Sequence, residues 1–311
     1  MTGAVQDHDH GRHHEHLSVE ADADSRRLAV ALALIAGLLV AEVVAGILAR
    51  SLALLSDAAH MLTDAGALAL SLVVIRLVRR PAGGNLTFGL RRAEILSAQA
   101  NGITLLVLAG LIVYEGVHRL IEPPKPVGAV VLGVALAGIV VNLLATAELA
   151  HANRASMNIR GSYLHLVTDL LAFVATAVAG ILILATGFDR ADGIASLFVA
   201  AIMLRAAYGL LRDSGRVLLE AAPAGMSVDE IGEALAAFPH VESVHDLHVW
   251  EVGTGFPALS AHVLVRPDDD CHGIRRDLER LLAARFGIDH TTLQVDHTRR
   301  EQLIAIERPH A

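Results

Sequence analysis

Hydrophobic residues are distributed unevenly along the chain and are concentrated before about residue 212. There they form blocks of about twenty apolar residues, the length that a helix needs to cross a hydrocarbon core about 30 Å thick. Such blocks predict six transmembrane helices, at residues 28–49, 52–76, 94–116, 127–148, 163–186 and 192–211.

After residue 212 the pattern becomes that of a soluble domain. SVDEIGEALAAF has the period of an amphipathic helix, SVHDLHVWEV and ALSAHVLVRP alternate like half-buried strands, and CHGIRRDLERLLAARFG and HTTLQVDH predict a second helix and a third strand. This order predicts a cytosolic two-layer α+β domain of ferredoxin-like type. The predicted divisions are a tail, a six-helix transmembrane domain, a ferredoxin-like domain and a second tail, at residues 1–27, 28–211, 212–300 and 301–311.

Composition and charge agree with a polytopic α-helical membrane protein, since 54% of the 311 residues are hydrophobic and 19% are charged. The first block follows a polar stretch of about 27 residues and lacks a cleavage site, so we expect it to be retained. Arginines of the short loops lie mainly between the second and third and between the fourth and fifth spans. This bias predicts that both termini lie in the cytoplasm, and we expect a multi-pass protein of the cell membrane.

One polar pattern occurs twice inside the apolar spans, as HMLTD at 60–64 and HLVTD at 165–169. Residues four apart share a helix face, so His60 lies beside Asp64 and His165 beside Asp169. If the two faces meet, two nitrogens and two oxygens converge, a set suited to tetrahedral Zn²⁺ and poor for Mg²⁺ or Ca²⁺. With a single cysteine, Cys271, the chain has no thiolate cluster for a metal.

The charges of this predicted site favour exchange of metal for protons. A divalent cation, two carboxylates and two neutral imidazoles sum to zero, and two protons can neutralise the metal-free site instead. An intramembrane metallohydrolase and a membrane-anchored metal sensor are the alternatives. The sequence contains no HExxH or GxSxG pattern, and six spans are more than an anchor requires.

The sequence resembles the cation diffusion facilitator family of zinc transporters over about residues 26–300. The resemblance is carried by SLALLSDAAHMLTDAGALALSL, FGLRRAEILSAQANG, SYLHLVTDLLAFV, HDLHVWEV and LQVDH. It implies a secondary active transporter, not an enzyme, that exports Zn²⁺ with protons as the counter-ion, and related members also handle cadmium or cobalt. It further implies a homodimer in a lipid bilayer and a transport site at the two His/Asp pairs. We expect no nucleic-acid partner.

The resemblance also implies roles for residues near the spans. Asp57, one turn before His60, is expected to line the aqueous path or to contact a ligand. Arg92 falls where the family places a basic residue that pairs with an acid after the sixth span, for which Glu220 is the candidate. The alternative is that Arg92 only anchors the cytoplasmic side. The stretch NLTFGLRR predicts that an accessory zinc site found in some members is absent.

Further histidines lie outside the predicted spans. The family's cytosolic zinc ligands correspond to His245, His262, His272 and Asp296, but Gln294 stands at another ligand position. A regulatory Zn²⁺ site and exposed or dimer-interface histidines therefore remain alternatives. The segment HDHGRHHEH predicts a mobile tail that collects Zn²⁺ weakly, or a solvated spacer. Its histidines are His8, His10, His13, His14 and His16.

Overall fold

The structure is a computed structural model that describes residues 10–48, 52–122, 128–188 and 190–298. The chain forms two compact units, Met1–Gly215 and Arg216–Ala311. The first unit is helical, and the second combines helices with a sheet.

Long helices occupy the six predicted positions of the first unit. They are α1 His10–Leu48, α2 Leu52–Val78, α3 Arg92–Ile121, α4 Gly128–Ala150, α5 Met157–Thr186 and α6 Ala191–Leu218. Within the described residues, α1, α2, α3, α5 and α6 each contain a stretch that is long and apolar enough to cross a membrane, and α4 is apolar over Ala135–Ala150. The predicted multi-pass helical architecture is confirmed.

Two helices begin earlier than their apolar runs. Helix α1 begins at His10, inside the segment 1–27 that the sequence predicts to be a tail, and α5 begins at Met157 rather than near residue 163. On α1, Asp24 is buried and accepts a hydrogen bond from the backbone N–H of Asn153 at 3.1 Å. At the start of α5, Ser156 Oγ accepts a hydrogen bond from the backbone N–H of Ile159. Both helices therefore include polar residues outside the hydrophobic blocks. The predicted tail 301–311 lies outside the described residues.

An apolar core and a close helix pair organise the first unit. Helices α1, α2, α4 and α5 share one core, whose fully buried leucines are Leu28, Leu68, Leu149 and Leu166. Helices α3 and α6 pack closely, since a Cβ added to Gly193 would lie 3.0 Å from the carbonyl oxygen of Gly116. At the same end of this helix pair, Arg119 on α3 donates to Asp192 on α6 at 2.5 Å. Glycine contacts and an ion pair thus hold these two helices together.

The second unit has the predicted order of elements. They are α7 Val228–Ala236, β1 Val241–Gly253, β2 Phe256–Val265, α8 Cys271–Phe286 and β3 His290–His297. Strand β2 lies in the middle, antiparallel to β1 and parallel to β3. Alternate residues of β2 are buried with Ile231 and Leu235 of α7 and Leu278 of α8. The two helices therefore cover one face of the sheet, which confirms the predicted two-layer α+β domain.

Candidate metal centre

Three of the four predicted transport-site residues come together where α2 meets α5. The Nε2 atom of His165 lies 2.7 Å from Oδ1 of Asp64 and 3.8 Å from Oδ2 of Asp169. One ligand atom from each of the three residues lies within 4.8 Å of the others. His165 and Asp169 therefore share one face of α5, as their four-residue spacing predicts. That face meets the carboxylate of Asp64 on α2.

The three residues are shielded from solvent within this unit. Relative exposure is 1% for His165 and 9% for Asp64. Within the described residues, Nδ1 of His165 and Oδ2 of Asp169 are buried and have no hydrogen-bond partner. Buried polar atoms of native proteins are usually paired, and an unpaired one requires a functional or structural reason. Binding of a metal ion by the carboxylate oxygen would be such a functional reason.

His60 and Asp57 also lie on α2, but their side chains are outside the part of the chain whose side chains the structure describes. The helix places His60 one turn before Asp64, so the predicted fourth ligand is on a face that can reach the centre. The roles of His60 as a ligand and of Asp57 as a path-lining residue stay predictions.

A second group of residues that could bind a metal lies on the sheet of the second unit. His245 of β1 and His262 of β2 are directly paired across the strands, and their ring centroids are 5.2 Å apart. Ligand atoms of His245, His262 and Asp246 lie within 4.8 Å of one another. Two imidazoles and a carboxylate form a donor set that Zn²⁺ accepts.

The sequence prediction does not include Asp246, and strand geometry explains why. Neighbouring residues of a regular strand point to opposite faces, so Asp246 would point away from His245. The structure instead has a register shift between His245 and His248, and Asp246 adopts a left-handed φ of 49°. This β-bulge lets both side chains approach His262. The adjacent residues His245 and Asp246 are visible in the sequence, but the β-bulge that brings their side chains together is not.

The other predicted cytosolic ligands do not join this three-residue group. Asp296 pairs with Leu264 in the β2–β3 register, and its carboxylate accepts a hydrogen bond from Gln294 at 2.7 Å. Gln294 itself stands opposite His262. His272 is exposed at the start of α8, where its backbone N–H donates to Asp270. The structure therefore favours Asp246 over His272 and Asp296 as the third member of the group.

The remaining predicted residues are placed only by their elements. Arg92 is the first residue of α3, and Glu220 follows α6 with a φ of 58°. They belong to different units, so their pairing stays a prediction. His8 lies outside the described residues, and α1 carries the other four histidines of the N-terminal segment, whose side chains are not described. Metal collection by this segment also stays a prediction.

Comparison with known families assigns both units. A family model described as the cation efflux transmembrane domain matches residues 28–219. A second one, described as the cytoplasmic domain of cation efflux proteins, matches residues 223–298. The two matches divide the chain close to the boundary between the two structural units.

Individual relatives cover nearly the whole chain. The zinc transporter ZitB of Escherichia coli is 37% identical over 93% of this chain and 92% of its own length. The cadmium, cobalt and zinc/H(+)-K(+) antiporter of Bacillus subtilis is 36% identical over 88% of this chain and 89% of its own. A solved structure of the metal-bound C-terminal domain of the CzcD transporter from Cupriavidus metallidurans is 31% identical, covering 22% of this chain and 97% of that chain, with a TM-score of 0.22.

Proposed function

The chain belongs to the cation diffusion facilitator family of metal efflux transporters, and on that premise we propose which of its residues carry the metal. The protein is a secondary active transporter, not an enzyme, that exports divalent metal, with Zn²⁺ as the leading substrate, in exchange for protons. In the proposal, Asp64, His165 and Asp169, together with His60, bind the transported ion inside the membrane.

The contact between His165 and Asp64 supports this proposal most directly. An N···O distance of 2.7 Å is that of a hydrogen bond, so a hydrogen lies between the two atoms. Zn²⁺ would bind through the same nitrogen and oxygen lone pairs, and it binds histidine and carboxylate only when those positions carry no proton. Metal and proton therefore compete for the same atoms, which is the chemical requirement of an exchanger.

Charge balance explains why two carboxylates suit the bilayer interior. Zn²⁺ with Asp64, Asp169 and neutral imidazoles has no net charge, so the loaded site avoids the large penalty of an unbalanced buried ion. Two protons restore the same balance after the metal leaves. Both the loaded and the metal-free state can then change the side of the membrane to which the site opens.

The membrane orientation is also part of the proposal. The α2–α3 connection carries Arg79, Arg80 and Arg91, and arginine-rich short loops face the cytoplasm. The family description of residues 223–298 as a cytoplasmic domain agrees with this orientation. We therefore place both termini in the cytoplasm, the protein in the cell membrane, and two copies of the chain in the functional unit.

The cluster of His245, Asp246 and His262 is proposed to bind regulatory Zn²⁺. Two imidazoles and a carboxylate are ligands that fit Zn²⁺. The cluster lies in the second unit, and the transport site lies in the first. Zinc at this cluster regulates transport only if it binds one conformation of the transporter more tightly than the other. The alternative is that these histidines are exposed and have no metal role, and their removal would then leave zinc transport unchanged.

The test of the transport site is zinc flux into proteoliposomes with an acidic interior. We expect the parent to accumulate Zn²⁺ and to release protons from the lumen, and we expect Asp64→Ala and Asp169→Ala to lose both activities. Glu115→Ala is the matched control, because Glu115 is a carboxylate on the apolar helix α3 whose side chain is 53% exposed and pairs with Arg119.

Flux at the parental rate in either aspartate variant would refute the transport-site assignment. A parent that binds zinc without moving it would instead support a membrane-anchored sensor. Zinc-dependent hydrolysis without flux would support a metallohydrolase.

A further inference from the structure

A buried group of serine and asparagine side chains joins three helices of the membrane unit. Its members, here called the serine–asparagine cluster, are Ser71 on α2, Asn101 on α3, and Asn158 and Ser162 on α5. All four are at most 1% exposed. The cluster is therefore as dry as the apolar core around it, although every side chain in it is polar.

Ser71 is the centre of the cluster. Its hydroxyl lies 2.8 Å from that of Ser162, which donates to it, and its backbone carbonyl accepts a hydrogen bond from the Asn158 amide at 2.9 Å. The Asn101 amide on α3 donates to the same hydroxyl at a longer 3.4 Å. One residue of α2 thus holds both of its neighbouring helices.

The cluster lies next to the metal centre along both helices that build it. Ser71 follows Asp64 by seven residues, and Asn158 precedes His165 by seven, which is two helical turns or about 10 Å in each case. Seven residues return to nearly the same helix face. On α2 the shift is toward the α2–α3 connection and on α5 it is toward the α4–α5 connection. In the proposed orientation, both connections are cytoplasmic.

We propose that the serine–asparagine cluster is the cytoplasmic gate of the transporter, an inference that rests on the proposed transport function. With its hydrogen bonds formed, α2, α3 and α5 are held together between the metal centre and the cytoplasm. When they break, water and a hydrated cation reach Asp64 and His165 from that side.

Hydroxyl and amide groups suit such a gate because water can replace every bond that opening removes. A neutral hydrogen bond gives a net advantage of only about a factor of five in an equilibrium constant. The closed state also contains a buried acceptor, Oδ1 of Asn158, that has no hydrogen-bond partner among the described residues. The three bonds between helices together favour closure by about a hundredfold, and the unpaired oxygen opposes it by a factor of about five to a hundred and fifty. The open and closed states are therefore close in free energy, as alternating access requires.

Contacts nearer the cytoplasmic surface support the cluster. Arg160 of α5 donates to Asp213 of α6 at 2.7 Å, and Ser156 donates to Glu94 of α3. The side chains of the Arg160–Asp213 pair are 42% and 31% exposed. Solvent screens an exposed pair of this kind, so the buried cluster contributes more to closure.

Zinc transport by Ser71→Ala and Ser162→Ala tests the gate. Each variant removes the hydrogen bond between Ser71 and Ser162, so the cytoplasm-open fraction rises about fivefold. The apparent KM for cytoplasmic zinc should fall by up to this factor, since apparent affinity scales with the competent fraction. The maximal rate should fall too, because each cycle must close the gate. Ser71→Ala also removes the longer bond from Asn101, so its effect should be at least that of Ser162→Ala. The double variant should match Ser71→Ala, because it removes no further bond between helices.

The matched control is Ser97→Ala. Ser97 is a serine of α3 that is 2% exposed and whose hydroxyl has no hydrogen-bond partner among the described residues. Its KM should remain parental. In hydrogen–deuterium exchange of the zinc-free protein, amides of residues 157–163 should exchange about fivefold faster in the two gate variants and at the parental rate in the control.

Two results would overturn the gate. One is that the parent moves zinc while both gate variants keep the parental KM and the parental rate of amide exchange. The other is an equal effect of Ser97→Ala. Failure of the parent to move zinc would overturn the proposed function instead, and the exchange experiment would still measure the closure of α5 on α2.

Discussion

Asp64→Asn isolates the charge of one proposed ligand from its size and hydrogen-bonding shape. The parent site with Zn²⁺ and two carboxylates is neutral, and the variant site with Zn²⁺ carries one positive charge. His165 keeps a hydrogen-bond partner 2.7 Å away in the variant, because the asparagine oxygen accepts like the carboxylate. The change therefore affects the metal-loaded state much more than the metal-free state.

The expected loss of zinc affinity follows from the burial of the site. Breaking a buried charge balance is worth roughly 3–5 kcal/mol, which is a factor of about a hundred to a few thousand in a dissociation constant. The Asp64 side chain is 12% exposed, so some solvent remains to stabilise the extra charge. We therefore expect the lower end of this range, about a hundredfold weaker binding.

Competition with a zinc-binding dye measures this change on the full-length protein. His245→Ala and His262→Ala are placed in both the parent and the variant, so that the cytosolic cluster does not contribute. Glu115→Gln in the same background is the control, because it removes an equivalent charge from α3 where the side chain is 53% exposed. Its zinc affinity should equal that of the parent.

Zinc affinity within threefold of the parent in Asp64→Asn would refute the reasoning, since it would mean that the Asp64 charge does not face the metal. An equal loss in Glu115→Gln would also refute it, because the effect would then reflect the total charge of the protein.

The other predictions concern packing, the cytosolic cluster and the link between units. Gly193→Ala should lower the free energy of unfolding by about 1–3 kcal/mol, because the new methyl group meets a backbone oxygen 3.0 Å away; Gly110→Ala, with nothing within 4 Å, should not lower it in the same thermal-unfolding assay. Asp246→Gly keeps the left-handed bulge but removes the carboxylate, so equilibrium dialysis should show at least about tenfold weaker zinc binding at the cytosolic cluster. If Arg92 and Glu220 pair, their alanine variants should be non-additive in a double-mutant cycle of stability, and strict additivity would contradict the pairing.

Helix geometry explains why the sequence predicts the grouping of Asp64, His165 and Asp169 at the proposed transport site. The four-residue spacing fixes His165 and Asp169 on one face of α5, and the matching pattern on α2 indicates which other face they meet. The start of α5 could not be predicted in this way. Asn158 and Ser162 interrupt the apolar run, so hydropathy ends the helix early, although both side chains are fully buried against Ser71.

The cytosolic cluster shows a different limit of sequence analysis. The pairing of His245 with His262 depends on strand register, which side-chain alternation alone does not fix to the residue. The third member depends on the positive φ of Asp246, a conformation that few residues other than glycine adopt. Local backbone geometry of this kind becomes visible only in the folded sheet.

The separation of Asp64 and His165 by 101 residues has a consequence for biosynthesis. Helix α2 is inserted into the membrane well before α5 has been translated, so Asp64 spends that interval without its histidine partner. A lone carboxylate is unfavourable in lipid, and the nascent chain gains from α5 as soon as it arrives. We therefore expect the proposed ion-binding residues to act also as a late assembly signal, and a chain truncated before α5 to be a substrate for membrane quality control.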